Sequence, residues 1–317
     1  MRMELSTVLR RMVAMRPLLR LLPALLAAST SCASFAQRPS STLGPDAEAI
    51  MRQVAIHQDQ SEAERAHYVY IQHARVISRK GKTIRCEEIT DSRVVPGENG
   101  SHQELLKLDG RLLGKDKKYI IYTTLPRAQD TGDSTVKADD NNLTIIVGDE
   151  ATDRDLVEHM RNNFTNDQSK DGIGAGLFPL TTKTQALYAF HLVGREQVNG
   201  REVFHIVFEP REKDEFGWKG DAFIDTTAFQ PVLVHTAMSR KIPFAVRTLL
   251  GVNLPGLGFN VAYAPQPGGI WFPTSFGTEF KMKVLFFFSR EINITAANHD
   301  FEKTHVSSTI VPIAPER

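Results

Sequence analysis

Several groups of residues in this sequence have types and spacings that could do chemistry. Asp155 and His159, or Glu64 and His67, stand at helical spacing for two metal ligands. A structural metal site takes four such donors, and no third and fourth partner appears at a diagnostic spacing, so these pairs read as ordinary charged helix faces. Glycines 172, 174 and 176 in "DGIGAGLFP" suggest a phosphate cradle. That cradle needs a strand before it and a helix N-terminus after it, whereas "FTNDQSK" precedes and Pro179 follows; the stretch reads as a linker. Serine, histidine and aspartate are plentiful, yet there is no Gly-x-Ser-x-Gly elbow, and "PTSFGTEF" reads as a turn plus a strand. Cys86 alternates with Ile84 and Glu88 on an expected strand, where a small buried side chain is the ordinary role. His191 and His205 sit on strands of mixed polarity as surface or cross-strand histidines. The expectation is a protein that is not an enzyme, with no metal and no cofactor.

What remains is apolar surface. In "EFKMKVLFFFS" the side chains Phe280, Met282, Val284, Phe286 and Phe288 share one face at strand period, and Lys281, Lys283, Leu285 and Phe287 share the other. The segment Ile242 to Phe259 carries Leu249, Leu250, Leu254 and Leu257 but is broken by Gly251, Pro255, Gly256 and Gly258, so it cannot be one long regular element. It reads as a flap or a buried crossover packed on the same face. Trp271 in "GGIWFP" follows a turn and could flank the same opening. These ten residues, Phe280, Met282, Val284, Phe286, Phe288, Leu249, Leu250, Leu254, Leu257 and Trp271, are the candidate ligand-binding set. The chemistry they offer is burial of hydrocarbon, worth roughly 0.8 kcal/mol per methylene.

The elements that must position this surface are mostly strands. Pro45 to Gln58 reads as a helix, with Asp46 and Glu48 in the first turn and Ala47, Ile50 and Val54 at helical spacing. From Tyr68 the period changes to two, in "YVYIQHARVIS" and "TIRCEEITDSRVV" joined through "RKGK"; "ELLKLDGRLL" follows with Asp109-Gly110 as its turn signal. A second helix is expected from Asp153 to Phe164, with Leu156, Val157, Met160 and Phe164 along one face. Then "QALYAFHLVG" and "EVFHIVFEP" flank Asn199-Gly200, a strong hairpin signal. "GDAFIDTTAFQPVLVHTAMS" gives two more runs bent at Asp225, and "HDFEKTHVSSTIV" is expected as a last, separate strand. About ten to twelve strands with so few helices between them should pair antiparallel, and a sheet that wide must curl. The fold class expected is mainly β (α+β): a strongly curved antiparallel sheet forming an incomplete barrel, with helices and a lid segment on its concave side.

The first 36 residues read as an export signal: arginines to Arg20, the apolar run Leu21 to Ala28, then Ser34 and Ala36 before the cut. Residues 37–317 then form a single periplasmic domain. "STSC" offers the alternative of a lipid anchor on Cys32, with Ser29 in place of a large aliphatic residue. Of 38 Lys and Arg the leader holds Arg2, Arg10, Arg11, Arg16 and Arg20, and of 37 Asp and Glu it holds Glu4, which leaves 33 against 36 and no basic surplus for nucleic acid. Beyond the leader no run approaches the roughly eighteen apolar residues of a membrane-spanning helix. Only Cys86 is left, so no internal disulfide is possible and a large core must hold the chain together.

The order Val193-Gly194, Asn199-Gly200-Arg201, Pro210, then Phe223-Ile224-Asp225 resembles the outer-membrane lipoprotein-sorting superfamily, the LolA/LolB-like fold, over about residues 185–234. These residues are turn and strand-end punctuation and carry fold rather than chemistry. The resemblance implies an incomplete barrel plugged by helices and a non-enzymatic role: holding a lipid, an acyl chain or lipidated peptides such as lipoproteins at the membrane periphery. The alternative is an envelope interaction or sensor module with a self-filled cavity and a protein partner. The segment 239–273 departs from the short carriers of that family, and no ligand residue carries over.

Overall fold

The computed structural model describes residues 46–97, 100–125, 138–139, 142–143, 151–164, 180–212, 217–239, 252–253, 256–284 and 288–304. The expected leader and Cys32 lie outside the described residues. The chain divides into two compact units, residues 45–136 with 145–317, and residues 1–44 with 137–144. In the smaller unit the described part is a pair of short antiparallel strands, β5 (Ala138–Asp139) and β6 (Asn142–Leu143).

Among the described residues the larger unit is one antiparallel sheet with three helices. Its strands are β1 (Tyr68–Lys80), β2 (Thr83–Gly97), β3 (Gly100–Leu113), β4 (Tyr119–Tyr122), β7 (Tyr188–Val198), β8 (Arg201–Pro210), β9 (Trp218–Asp225), β10 (Pro231–Met238), β11 (Val252–Asn253), β12 (Gly258–Pro265), β13 (Trp271–Val284) and β14 (Phe288–Lys303). Eleven of them follow one hydrogen-bonded path, β4-β3-β2-β1-β14-β13-β12-β10-β9-β8-β7, and β11 adds to β13. Among the described residues no ladder joins β4 to β7, so the sheet stays open. The helices are α1 (Ala47–Arg65), α2 (Ala151–Phe164) and the single turn α3 (Thr182–Gln185).

Flat, eleven strands would span about 48 Å. The sheet instead wraps α1: one core cluster joins Ile50, Met51 and Val54 of the helix to Ala74 on β1, Phe190 on β7 and inward residues of the strands between. Six of the ladders carry a register shift, and such bulges bend and twist a strand locally. Polar ties fix the helix across the sheet in sequence. Near its start Arg211 reaches Glu48 at 2.9 Å and Gln185 donates to the Met51 carbonyl at 2.7 Å. At mid-helix His57 Nδ1 lies 2.9 Å from the Ala228 carbonyl, and Gln58 bonds Gln230. At the end Arg65 donates to the Trp271 carbonyl at 3.0 Å.

Local chemistry explains the boundaries. Asp46 accepts from Ala49 N at 2.8 Å and caps α1. The helix runs on past the expected end at Gln58 to Arg65, because Ser61 and Arg65 find partners on the sheet. Asn199 and Gly200 have φ of 52° and 77°, the two left-handed residues that a two-residue hairpin needs. Asp225 turns the chain by accepting from Thr227 N and Ala228 N at 2.9 and 2.8 Å.

Three expectations are corrected. Asp109-Gly110 is no turn: both residues lie inside β3, and a Cβ on Gly110 would stand 2.2 Å from the Tyr122 ring, so the glycine makes room for an aromatic neighbour. "EFKMKVLFFFS" is not one strand; β13 ends at Val284, β14 begins at Phe288, and Val284 pairs with Phe288 across the connection. Of "HDFEKTHVSSTIV", His299 to Lys303 continue β14 around a positive-φ residue, Asp300, and the stretch from His305 onward lies outside the described residues.

Candidate functional site

The inner face of the sheet is set by alternation. On β1 the positions Tyr70, Gln72, Ala74, Val76 and Ser78 are buried, and the partners of Tyr70, Ala74 and Val76 on β2 are Val94, Thr90 and Glu88, also buried. Ala74 meets the α1 cluster, whereas Ser78 donates to Asp153 of α2 at 2.9 Å. Both helices therefore cover the same, inner face.

On β13 and β14 the α1 cluster reaches Phe276 and Ala296. Beyond it the inner face continues as Phe280 opposite Ile292, Met282 opposite Arg290, and the Val284–Phe288 pair. Met282 is 0% exposed, and Phe280 and Phe288 are buried. Of the candidate set the structure thus brings together Phe280, Met282 and Phe288, with Val284 paired to both Phe288 and Val252. Trp271 lies elsewhere: it belongs to the α1 core, with the Arg201 guanidinium 5.0 Å over its ring. Leu257 is half-buried, and its carbonyl accepts from Met238 N at 3.2 Å. Leu249, Leu250, Leu254 and Phe286 lie outside the described residues. The expected flap is described only at Val252–Asn253, on β13, and from Gly256 onward, where Phe259 packs on Trp218 and Phe276 with ring centroids 4.9 and 5.3 Å apart.

Sequence reasoning did not find the polar clamp under α2. Asp153 accepts two bonds from Arg290, at 2.5 and 2.8 Å, one from Ser78 and one from Arg85. Burial works to raise its pKa, but the Arg290 bonds and charge outweigh that and hold it below the usual carboxylate range. One helix face further along, Arg161 pairs with Glu88. Glu88 also accepts from Tyr122 at 2.8 Å, and the Tyr122 hydroxyl lies 3.3 Å from Cys86 Sγ. Burial keeps the Glu88 pKa raised despite Arg161 and Tyr122. The Cys86 thiol is pushed up to about 12, chiefly by burial, which favours its protonated form. The only hint in the sequence was the spacing of Asp153 and Arg161 on one expected helix; their partners are distant in the chain.

The histidines divide. His205 stacks on Phe223 with centroids 4.6 Å apart, and its nitrogens lie 2.7 Å from Glu196 and 2.8 Å from Asp221. Burial opposes its charge, but the bonds to Asp221 and Glu196 prevail and its pKa is raised. His159 of the Asp155/His159 pair has a pKa lowered by burial. Among the described residues no group of three or more His, Cys, Asp or Glu is placed to hold a metal ion. Nor is any described helix long and apolar enough to cross a membrane.

No family profile matches the chain, and no curated protein does. Solved structures align with it over most of their length. A DUF1329 family protein from Desulfovibrio piger aligns at TM-score 0.36 and 10% identity, covering 84% of this chain and 96% of that one. A protein domain from Vibrio parahaemolyticus named for outer membrane lipoprotein sorting aligns at 0.33 and 11%, covering 80% and 92%. A LolA superfamily protein from Nitrosomonas europaea aligns at 0.32 and 10%, covering 83% and 95%. These alignments span most of each chain at 10–11% sequence identity.

Proposed function

We propose that this chain is an exported, non-enzymatic binding protein that holds an acyl chain, a lipid or a lipidated peptide in the hollow of its half-barrel. The observation that carries the reading is the inner face continuing past the reach of α1, where the apolar side chains Phe280, Met282, Ile292 and Phe288 surround the Arg290–Asp153 pair. Each methylene that such a wall buries contributes about 0.8 kcal/mol, so affinity rises with hydrocarbon length. The buried, protonated Cys86 supports a role without covalent catalysis.

A second reading is favoured by one specific fact. Met282 is 0% exposed because the chain's own atoms cover it. A hollow filled in this way suits an interaction or sensor module whose partner binds outside. Native mass spectrometry of the exported protein, followed by organic extraction, separates the two. A co-purifying amphiphile, displaced by added fatty acid, is the outcome expected for a carrier; an empty protein that takes up no fluorescent fatty acid would leave the interaction module.

A further inference from the structure

Ser101 and Gln103 lie on β3, opposite Pro96 and Val94 of β2, and Val94 in turn pairs with Tyr70 of β1. Cross-strand partners share a face, so Gln103, Val94 and Tyr70 form one row on the inner face. The surroundings are apolar. Tyr70 and Val94 cluster with Tyr68 and Phe272, and Ile270 and Phe301 pack against them; the Phe272 and Phe301 rings stand 4.6 Å apart. In this setting Ser101 Oγ and Gln103 Nε2 are buried without a hydrogen-bond partner among the described residues, and Ser101 is 4% exposed.

Elsewhere on the inner face the buried polar side chains Gln72, Gln230 and Ser78 each make at least one hydrogen bond. Gln72 donates to Asn298, Gln230 to Ser61, and Ser78 to Asp153. Two orphaned groups two residues apart on one strand face are therefore an exception that requires a reason, since native proteins leave few buried donors unpaired. Leu105, the next inward position of β3 and the partner of Ser92, is 38% exposed, which opens this row to solvent. An amide Nε2 can only donate, through its N–H bonds, and the serine hydroxyl adds an O–H donor. We infer that Ser101 and Gln103 form a polar subsite at the β1–β3 end of the hollow that takes an acceptor oxygen of an amphiphile headgroup, a carboxylate or an ester carbonyl.

The subsite rests on the binding role proposed above and deepens it, and one set of titrations keeps the two apart. Dodecanoate, methyl dodecanoate and dodecyltrimethylammonium share one chain, but the last has no acceptor oxygen. By calorimetry the parent protein should bind one or both oxygen-bearing probes about tenfold more tightly than the ammonium, the scale of one hydrogen bond to a buried donor. Preference between dodecanoate and its ester identifies the carboxylate or the carbonyl as the group recognised. In Ser101→Ala with Gln103→Leu the ratio should fall to within about twofold, with Tm unchanged or raised, because removing unpaired polar groups costs the fold nothing. The single variant Ser101→Ala, which loses one oxygen atom, should lower the ratio about threefold and guards against misfolding of the pair. Equal binding of all three probes by the parent, a ratio retained in the double variant, or a lowered Tm in both Ser101→Ala and the double variant would overturn the subsite and leave the hydrocarbon-binding role standing. Binding of none of the probes would overturn both.

Discussion

At the scale of single residues, the same dipeptide type shows what a sequence can and cannot disclose. Asn199-Gly200 was legible as a turn because both residues tolerate positive φ and the runs on either side alternate. Asp109-Gly110 carries the same signal and is strand interior, since the requirement it meets is the Tyr122 ring lying over Gly110. No local pattern encodes a ring that arrives from another strand. The consequence is testable. Gly110→Ala should push Tyr122 off Glu88 and Cys86 and cost about 1–3 kcal/mol, the usual range for overpacking. Thermal unfolding would register the loss, and the rate at which Cys86 reacts with a thiol reagent should rise. Unchanged stability and reactivity would mean the ring has room to slide. The Ser101 and Gln103 pair was equally invisible, because a polar residue on a strand declares neither its face nor its lack of a partner.

At the scale of elements, the inward set Phe280, Met282 and Phe288 was readable although the element was not. Val284 and Phe288 are direct partners four residues apart, and a continuous strand would also place positions four apart on one side. Alternation therefore keeps its phase through this hairpin, which hides the break from any periodicity argument. The helix α2 was legible from Leu156 and Val157, both of which are buried, but what anchors it is electrostatic and non-local. Asp153 is 3% exposed and neutralises Arg290 and Arg85 across three strands. Asp153→Ala would leave Arg290 buried without its partner and should cost about 3 kcal/mol in urea unfolding, more than the pair itself contributes. Adding Arg290→Met should recover much of that loss, and hydrogen exchange should show α2 opening in the single variant and closing again in the double. If the single and double variants are equally unstable, the clamp works through packing and not through charge.

Across the whole molecule the charged anchors lie in both arms of the sheet, and their titrations carry opposite signs. In the arm β1–β4 with β14, Asp153 is held ionised below its usual range, so its contribution is present above the unfolded carboxylate pKa and is lost as pH falls through the folded value. Asp225, at the β9–β10 turn, behaves alike: burial raises its pKa, but bonds from Ala228 N, Thr227 N and Arg201 lower it further. In the arm β7–β9, His205 ties three adjacent strands through Glu196 and Asp221, and its raised pKa carries the opposite sign. Its stabilisation is complete below the unfolded histidine pKa of about 6.5 and is lost as pH rises through the folded value. Stability should therefore peak in the mildly acidic range, with an acid limb set by Asp153 and Asp225 and a shallower neutral limb set by His205. His205→Gln should flatten the neutral limb and leave the acid limb in place, as followed by urea midpoints across the pH series. Because β7 is the open edge of the sheet, the loss in the parent at higher pH should appear first as faster hydrogen exchange in β7 and β8. A neutral limb that survives His205→Gln would place the titrating group elsewhere and refute the assignment.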